Sequence, residues 1–326
     1  MIDYRPTLRW LGSKVLRLVA VVLAVSTFTF LGLEVLPGDI SYQIAGPSAT
    51  AEEVEALRVE LGLNRPLLFR YTSWMTRTLS GDLGYSLYNG EPVGAAILSR
   101  LPVTLELMIL VPFMALCLAV PVAIFSAYRA QSGLDKGVSA LAFASMSVPN
   151  FVMALLLIYL FALQLRWFPA TGFVPLTDGL TANLKSIVLP AVSLALVEWV
   201  PFMRVLRSDL ITTLQADYIL MARSKGLSPL RILMGHALRP SLFTLTTVLG
   251  LHIGHLIGGA LIVEMIFALP GMGRLLISAI FAQDTHLVQG CILFITVGYV
   301  LINFGVDMLY LLLDPRLLHP DAEGAA

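Results

Sequence analysis

Charge is scarce in this sequence. Only 13% of its 326 residues are Asp, Glu, Lys or Arg, while 57% are hydrophobic; soluble domains carry about 25% charged residues. The few charges are clustered and leave long runs nearly free of them. A soluble core of this length has no use for so much apolar surface, so the class is an all-α polytopic membrane protein. Cysteine is nearly absent: Cys117 and Cys291 each fall in an apolar run, so both read as small buried hydrophobes and neither suggests a disulfide framework or a metal site. The phosphate loop G-x-x-x-x-G-K-[ST] occurs nowhere, so this chain is not expected to bind ATP. Net charge is +0, so charge as a whole says nothing about partners; no nucleic-acid partner is expected. No Ser–His–Asp or Cys–His constellation has the context of a catalytic site.

What is present is length without charge. A helix crossing the roughly 30 Å hydrocarbon core needs about 20 mostly apolar residues. Six segments fit: about Leu18–Leu36, Val103–Phe125, Val138–Leu163, Ile187–Met203, Leu242–Phe267 and Val288–Leu313. The first follows Arg9, Lys14 and Arg17 as a signal peptide would. No small-x-small cleavage site comes after it, and it is expected to stay as a span. Pro149–Asn150 should kink the third. With the N-terminus inside, inner segments carry thirteen of the 21 Lys and Arg residues. Both termini are then cytoplasmic.

The expected organisation is a cytoplasmic N-terminus and first transmembrane helix over 1–36, an exterior subdomain over 37–101, a five-helix core over 102–313, and a cytoplasmic tail over 314–326. In the exterior segment, Ser48 or Thr50 should cap a helix with Val54, Leu57 and Leu61 on one face, stopped by Gly62. "RPLLFRYTSWMTRTL" predicts a second amphipathic helix, and "GDLGYSLYNGEPV" turns with short extended structure.

The stretch "DYILMARSKGLSPLRILMGHALRP" (217–240) lies in the inner loop 204–240 between the fourth and fifth spans. Leu210–Lys225 is free of proline and predicts a helix, with Tyr218, Met221, Ala222 and Lys225 on one face. Gly226 suits a left-handed cap, and Arg223 and Lys225 favour the last turn. Ser228 then fits an N-cap and Pro229 the first position of a second helix running to about Leu238, before Pro240. A topology signal needs no defined bend. A paired-helix elbow with small residues at the bend and cations beside it is a docking device.

Elsewhere, Glu198 in the fourth span has no partner on its own helical face, since Arg204 and Arg207 lie off it. It is either half of an interhelical pair or an acid lining a path for a peptide amine or cationic side chain. Asp307 reads as a structural hydrogen bonder. His252 and His255, spaced i,i+3, lack a third ligand and read as polar packing rather than a metal site. Glu264 with "ALPGMG" marks the exterior end of the fifth span.

The stretch "DYILMARSKGL", followed by "HALRP", resembles the cytoplasmic loop of ABC-importer permeases in its dipeptide/oligopeptide form. "GDLGYS", "RLPVTLELMI", "SVPNFVMALLLIYLF", "GGALIVEMIFALPGMGRLL" and "VDMLYLLLDPR" resemble the same family and stand in its order along nearly the whole chain. Leu220 departs from the general importer motif, which has Glu there; the peptide branch often lacks it. The resemblance implies a permease with six spans that couples to ATPases through Asp217, Tyr218, Ala222, Arg223, Lys225, Gly226, Leu227 and Ser228. It implies a second homologous permease subunit, two ABC ATPase subunits or domains holding ATP and Mg, and an extracytoplasmic peptide-binding protein. No cofactor is expected on this chain. Related permeases for nickel or another small solute share these motifs. An ion-driven secondary transporter is the alternative of another class, against which stand the lack of an inverted repeat and the presence of the elbow; an intramembrane hydrolase is more distant still.

Overall fold

The computed structural model describes residues 5–35, 40–46 and 48–313. The expected cytoplasmic tail, 314–326, and the junction at 36–39 lie outside them. The described residues are mostly helical, with an isolated antiparallel bridge between Tyr85 and Pro92 where short extended structure is expected. Among the described residues, five helices are long and apolar enough to cross a membrane: Gly12–Val35, Val93–Tyr128, Leu180–Leu214, Pro229–Gly254 and Thr285–Met308. A sixth span exists if the bent pair Gly133–Ser147 and Asn150–Gln164 counts as one. The chain divides into two compact units.

Of the described residues, the first unit takes those within 1–102, 271–304 and 311–313. It is larger than the segment 37–101, because helices from both ends of the sequence join it. Its helices are α1 (Arg5–Val35), α2 (Ile40–Ala45), α3 (Ala51–Glu60), α4 (Leu67–Leu79), the start of α5 (Val93–Tyr128), α13 (Met272–Phe281) and most of α14 (Thr285–Leu313). Thr50 begins α3 with a complete capping box: its hydroxyl accepts from the Glu53 N–H, and the Glu53 carboxylate accepts from the Thr50 N–H at 2.7 Å. Those two hydrogen bonds, the backbone one first, hold the Glu53 carboxyl below its ordinary range. Gly62, at φ +68°, follows the end of the helix as expected. α4 lies against the end of α1. The Phe30 ring meets Tyr71 and Trp74 at 5.3 and 6.2 Å, and Arg70 pairs with Glu34 at 2.7 Å. Buried Asp284, between α13 and α14, accepts from the Ser86 hydroxyl at 2.5 Å and from the Leu87 and Leu287 N–H groups. One carboxylate thus fastens the turn-rich 84–92 segment to the start of α14, a tie across about 200 residues that no local pattern announces.

The second unit takes residues 103–270 and 305–310. It holds the rest of α5, α6 (Gly133–Ser147), α7 (Asn150–Leu157), α8 (Leu180–Leu214), α9 (Asp217–Ser224), α10 (Pro229–Ile232), α11 (Leu238–Gly259) and α12 (Leu261–Ile266). The expected kink at Pro149 is a 96° bend. Val148 is extended (ψ 119°) because a residue before proline is pushed out of the helical region, and Pro149 follows it in the extended region (ψ 144°). α8 is the core of this unit: 67% of its apolar window is buried, and it runs unbroken through Pro190 and Pro201. α11 packs along it, and the expected fifth span is interrupted at Ala260. At Gly250, α11 and α14 come so close that a Cβ would lie 2.2 Å from the Val306 side chain; here only glycine fits.

Candidate functional site

The elbow begins from a break the sequence reading misses. The expected helix over Leu210–Lys225 is two helices: α8 ends at Leu214, Ala216 is extended (ψ 149°), and α9 starts at Asp217. Thr212 and Thr213 weaken the last turn of α8, and Asp217 favours a new helix start. The break turns Ile219 and Ala222 back onto Ile232, with Leu214 and Leu227 closing the cluster. Short helices such as α9 and α10 are unstable alone; this small apolar core holds them together.

Gly226 has φ +75°, and nothing lies within 4 Å of where its Cβ would be. Its role is purely conformational. The Gly226 N–H reaches the Arg223 carbonyl at 2.9 Å and the Leu227 N–H reaches the Ala222 carbonyl at 3.3 Å. This is a Schellman motif, completed by the packing of Leu227 into the cluster. Ser228 then caps α10 by accepting from the Arg231 N–H, with Pro229 at the first position. Pro240 does not end this helix, contrary to expectation. A π-helical stretch, Leu233–Ala237, absorbs the lost hydrogen bond and carries the chain from α10 straight into α11.

Of the expected docking residues, Asp217, Tyr218, Arg223, Lys225, Gly226 and Ser228 are exposed, and Leu227 is half-buried. Ala222 is not on that surface. It is 6% exposed and faces Ile219 and Ile232, so its small size serves the inside of the elbow. Leu220, Met221, Leu230 and Met234 are exposed instead, giving an apolar surface with cations beside it.

Below the elbow, Arg207 of α8 makes a bidentate pair with buried Asp135, at 2.8 Å from Nε and 2.6 Å from the terminal nitrogen. Asp135 also accepts from the Gln131 N–H at 2.9 Å and from the Ser126 hydroxyl. This network clamps the α5–α6 turn to α8 near its elbow end. Sequence reasoning counted Arg207 as an inner charge, set it aside as a partner for Glu198, and passed over Asp135. The Ser132–Asp135 spacing signals a helix start, which the Ser132 cap confirms, but nothing local names a partner 72 residues away.

Glu198 does have a partner, on the neighbouring helix. Its carboxylate lies 2.5 Å from His252 Nδ1, and Phe202 packs edge-on against the imidazole with centroids 5.1 Å apart. Each residue thus has a polar partner on the other helix. The His255 side chain lies outside those described. Buried Glu264 accepts from the Thr104 hydroxyl at 2.9 Å.

Comparison with known proteins agrees with this architecture. The family described as binding-protein-dependent transport system inner membrane component matches residues 119–319, and its N-terminal counterpart matches 7–108. A Brucella abortus protein named as a peptide transport system permease is 42% identical over 94% of this chain and 97% of its own. The oligopeptide transport system permease protein AppB of Bacillus subtilis is 32% identical over 93% of this chain and 97% of its own. Among solved structures, the inward-facing MetNI methionine ABC transporter aligns with TM-score 0.53 at 17% identity, covering 68% of this chain and 97% of that one; this likeness speaks to the fold.

Proposed function

The chain belongs to the binding-protein-dependent transport system inner membrane components, and from that premise we propose that it is the permease subunit of a peptide-importing ABC transporter. Family membership makes it a membrane permease subunit that is not itself catalytic. The finer reading adds the cargo, the partners and the coupling. Relatives named for peptide and oligopeptide transport support a peptide cargo. A second homologous permease subunit would complete the path, two ATPases would bind ATP and Mg, and an extracytoplasmic binding protein would deliver the peptide. Both termini and the elbow would face the cytoplasm, following the distribution of Lys and Arg.

The observation that carries the coupling role is the elbow. Exposed cations and apolar side chains stand on a unit rigidified by its own small core, and that unit continues through the π-helical stretch into α11. A push on it reaches α11 directly and α8 through the turn at Ala216, and the Arg207–Asp135 clamp passes it from α8 to the α5–α6 turn. The test is reconstitution of the complete complex with Arg223→Glu plus Lys225→Glu. Weakened ATPase association at unchanged permease abundance is expected; full association and full peptide-stimulated ATP hydrolysis would leave the elbow as a topology signal alone. Glu198, with His252, is proposed to line the path. Glu198→Gln should then reduce uptake of cationic peptides more than neutral ones, and equal loss of both would make the pair structural.

A further inference from the structure

The basic residues of the 37–101 segment are of one kind. All five in the 37–101 segment are Arg, none Lys, and three of them, Arg65, Arg70 and Arg77, line one cavity of about 300 Å³ in the first unit. Its floor is apolar and aromatic: Phe30 and Trp74, both buried. Glu34 and Glu60 also line it. Arg70 is committed to Glu34 at 2.7 Å. Among the described residues, no carboxylate lies within ion-pair distance of Arg65 or Arg77; the Arg65 guanidinium rests over the Phe69 ring. Two uncommitted guanidinium groups against Glu60 leave a surplus of one positive charge.

The cavity's depth is set by α1. The charge-free run Leu18–Leu33 has a helical length of about 24 Å, less than the roughly 30 Å of hydrocarbon. Glu34 must therefore sit at the boundary between acyl chains and headgroups, and the cavity beside it lies at the same level. α4 agrees: Leu68 and Leu79, on the side away from Arg70 and Arg77, are 73% and 80% exposed, as on a helix lying in the membrane interface.

We propose that this cavity holds the phosphodiester headgroup of a membrane phospholipid. Its single negative charge matches the surplus. Arg, rather than Lys, offers the planar fork that grips phosphate oxygens in pairs, and the aromatic floor suits the glycerol end. A bound lipid would join α1, α4 and the start of α14, all of which line the cavity. Only the assignment to the outer leaflet rests on the orientation proposed above; the pocket chemistry does not.

The test is native mass spectrometry of the assembled transporter in detergent with phosphatidylglycerol. One tightly held lipid per permease chain is expected. Arg65→Gln plus Arg77→Gln, which spares the Arg70–Glu34 pair, should weaken its retention by roughly tenfold or more per arginine, the scale of a charge-assisted hydrogen bond. Arg58→Gln, outside the cavity and paired with Glu55, should change nothing. Unchanged retention in the double variant would overturn the proposal, as would equal loss in Arg58→Gln. Displacement of the lipid by equimolar inorganic phosphate would make this a free-anion site and overturn the lipid assignment. Failure of transport with intact lipid retention would strike the proposed function and leave this site standing.

Discussion

A graded series at Gly226 separates conformation from bulk. Because no atom lies within 4 Å of the missing Cβ, a substituent meets no neighbour, and its cost is that of holding φ at +75°. For Ala that is about 1–2 kcal/mol. Asn tolerates the region better, and a β-branched Val is the worst case. α9 has only eight residues, well under the roughly 12–15 that sustain an isolated helix, so its stability comes from its caps and the Ile219–Ala222–Ile232 cluster. A loss of 1–2 kcal/mol lowers the population of the capped elbow by a factor of about 5–30. The expected order is Gly, then Asn, then Ala, then Val, at constant membrane abundance. Hydrogen exchange at the Leu227 amide, which donates to Ala222, reads the cap directly. Peptide-stimulated ATP hydrolysis in the reconstituted complex reads its consequence. If Asn protects the amide no better than Val, the left-handed geometry is not what the position requires. If the amide follows the order and hydrolysis does not, the cap forms but does not couple.

Three further outcomes follow from packing. Ala222→Trp should loosen the elbow from within, at about 1–3 kcal/mol for overpacking; wild-type exchange protection across α9 would show that Ala222 faces open space. Arg207→Met should cost about 3 kcal/mol because it leaves Asp135, 4% exposed, without its cation. Adding Asp135→Leu should recover part of that in thermal unfolding of the purified protein, whereas strictly additive losses would deny the pairing. Gly250→Ala should destabilise the crossing of α11 and α14, where the new Cβ falls 2.2 Å from a Val306 methyl group, and Val306→Ala in the same chain should restore part of the loss, since its own Cβ stays 3.0 Å away; absence of any rescue would refute the close approach.

Membrane class, the apolar spans, the Thr50 and Ser228 caps, and the left-handed Gly226 were legible in the amino-acid order. Each depends on physics acting within a few residues: burial period, cap hydrogen bonds, and the φ a side chain allows. The elbow's motif was legible for the same reason. Even so, local rules erred at Ala216 and Pro240, where a tertiary gain outweighed a local preference. The helix broke so that Ile219 and Ala222 could pack inward, and a π-helical stretch let it run through a proline. The orientation of Ala222, the His252 partner of Glu198 and the Asp135 partner of Arg207 were decided by the tertiary structure alone, across separations of 54 residues for Glu198 and 72 for Arg207. A buried charge in a low-dielectric interior requires a counter-charge, so sequence can announce the need. Which helix supplies it depends on which faces meet after packing, and no local signal carries that.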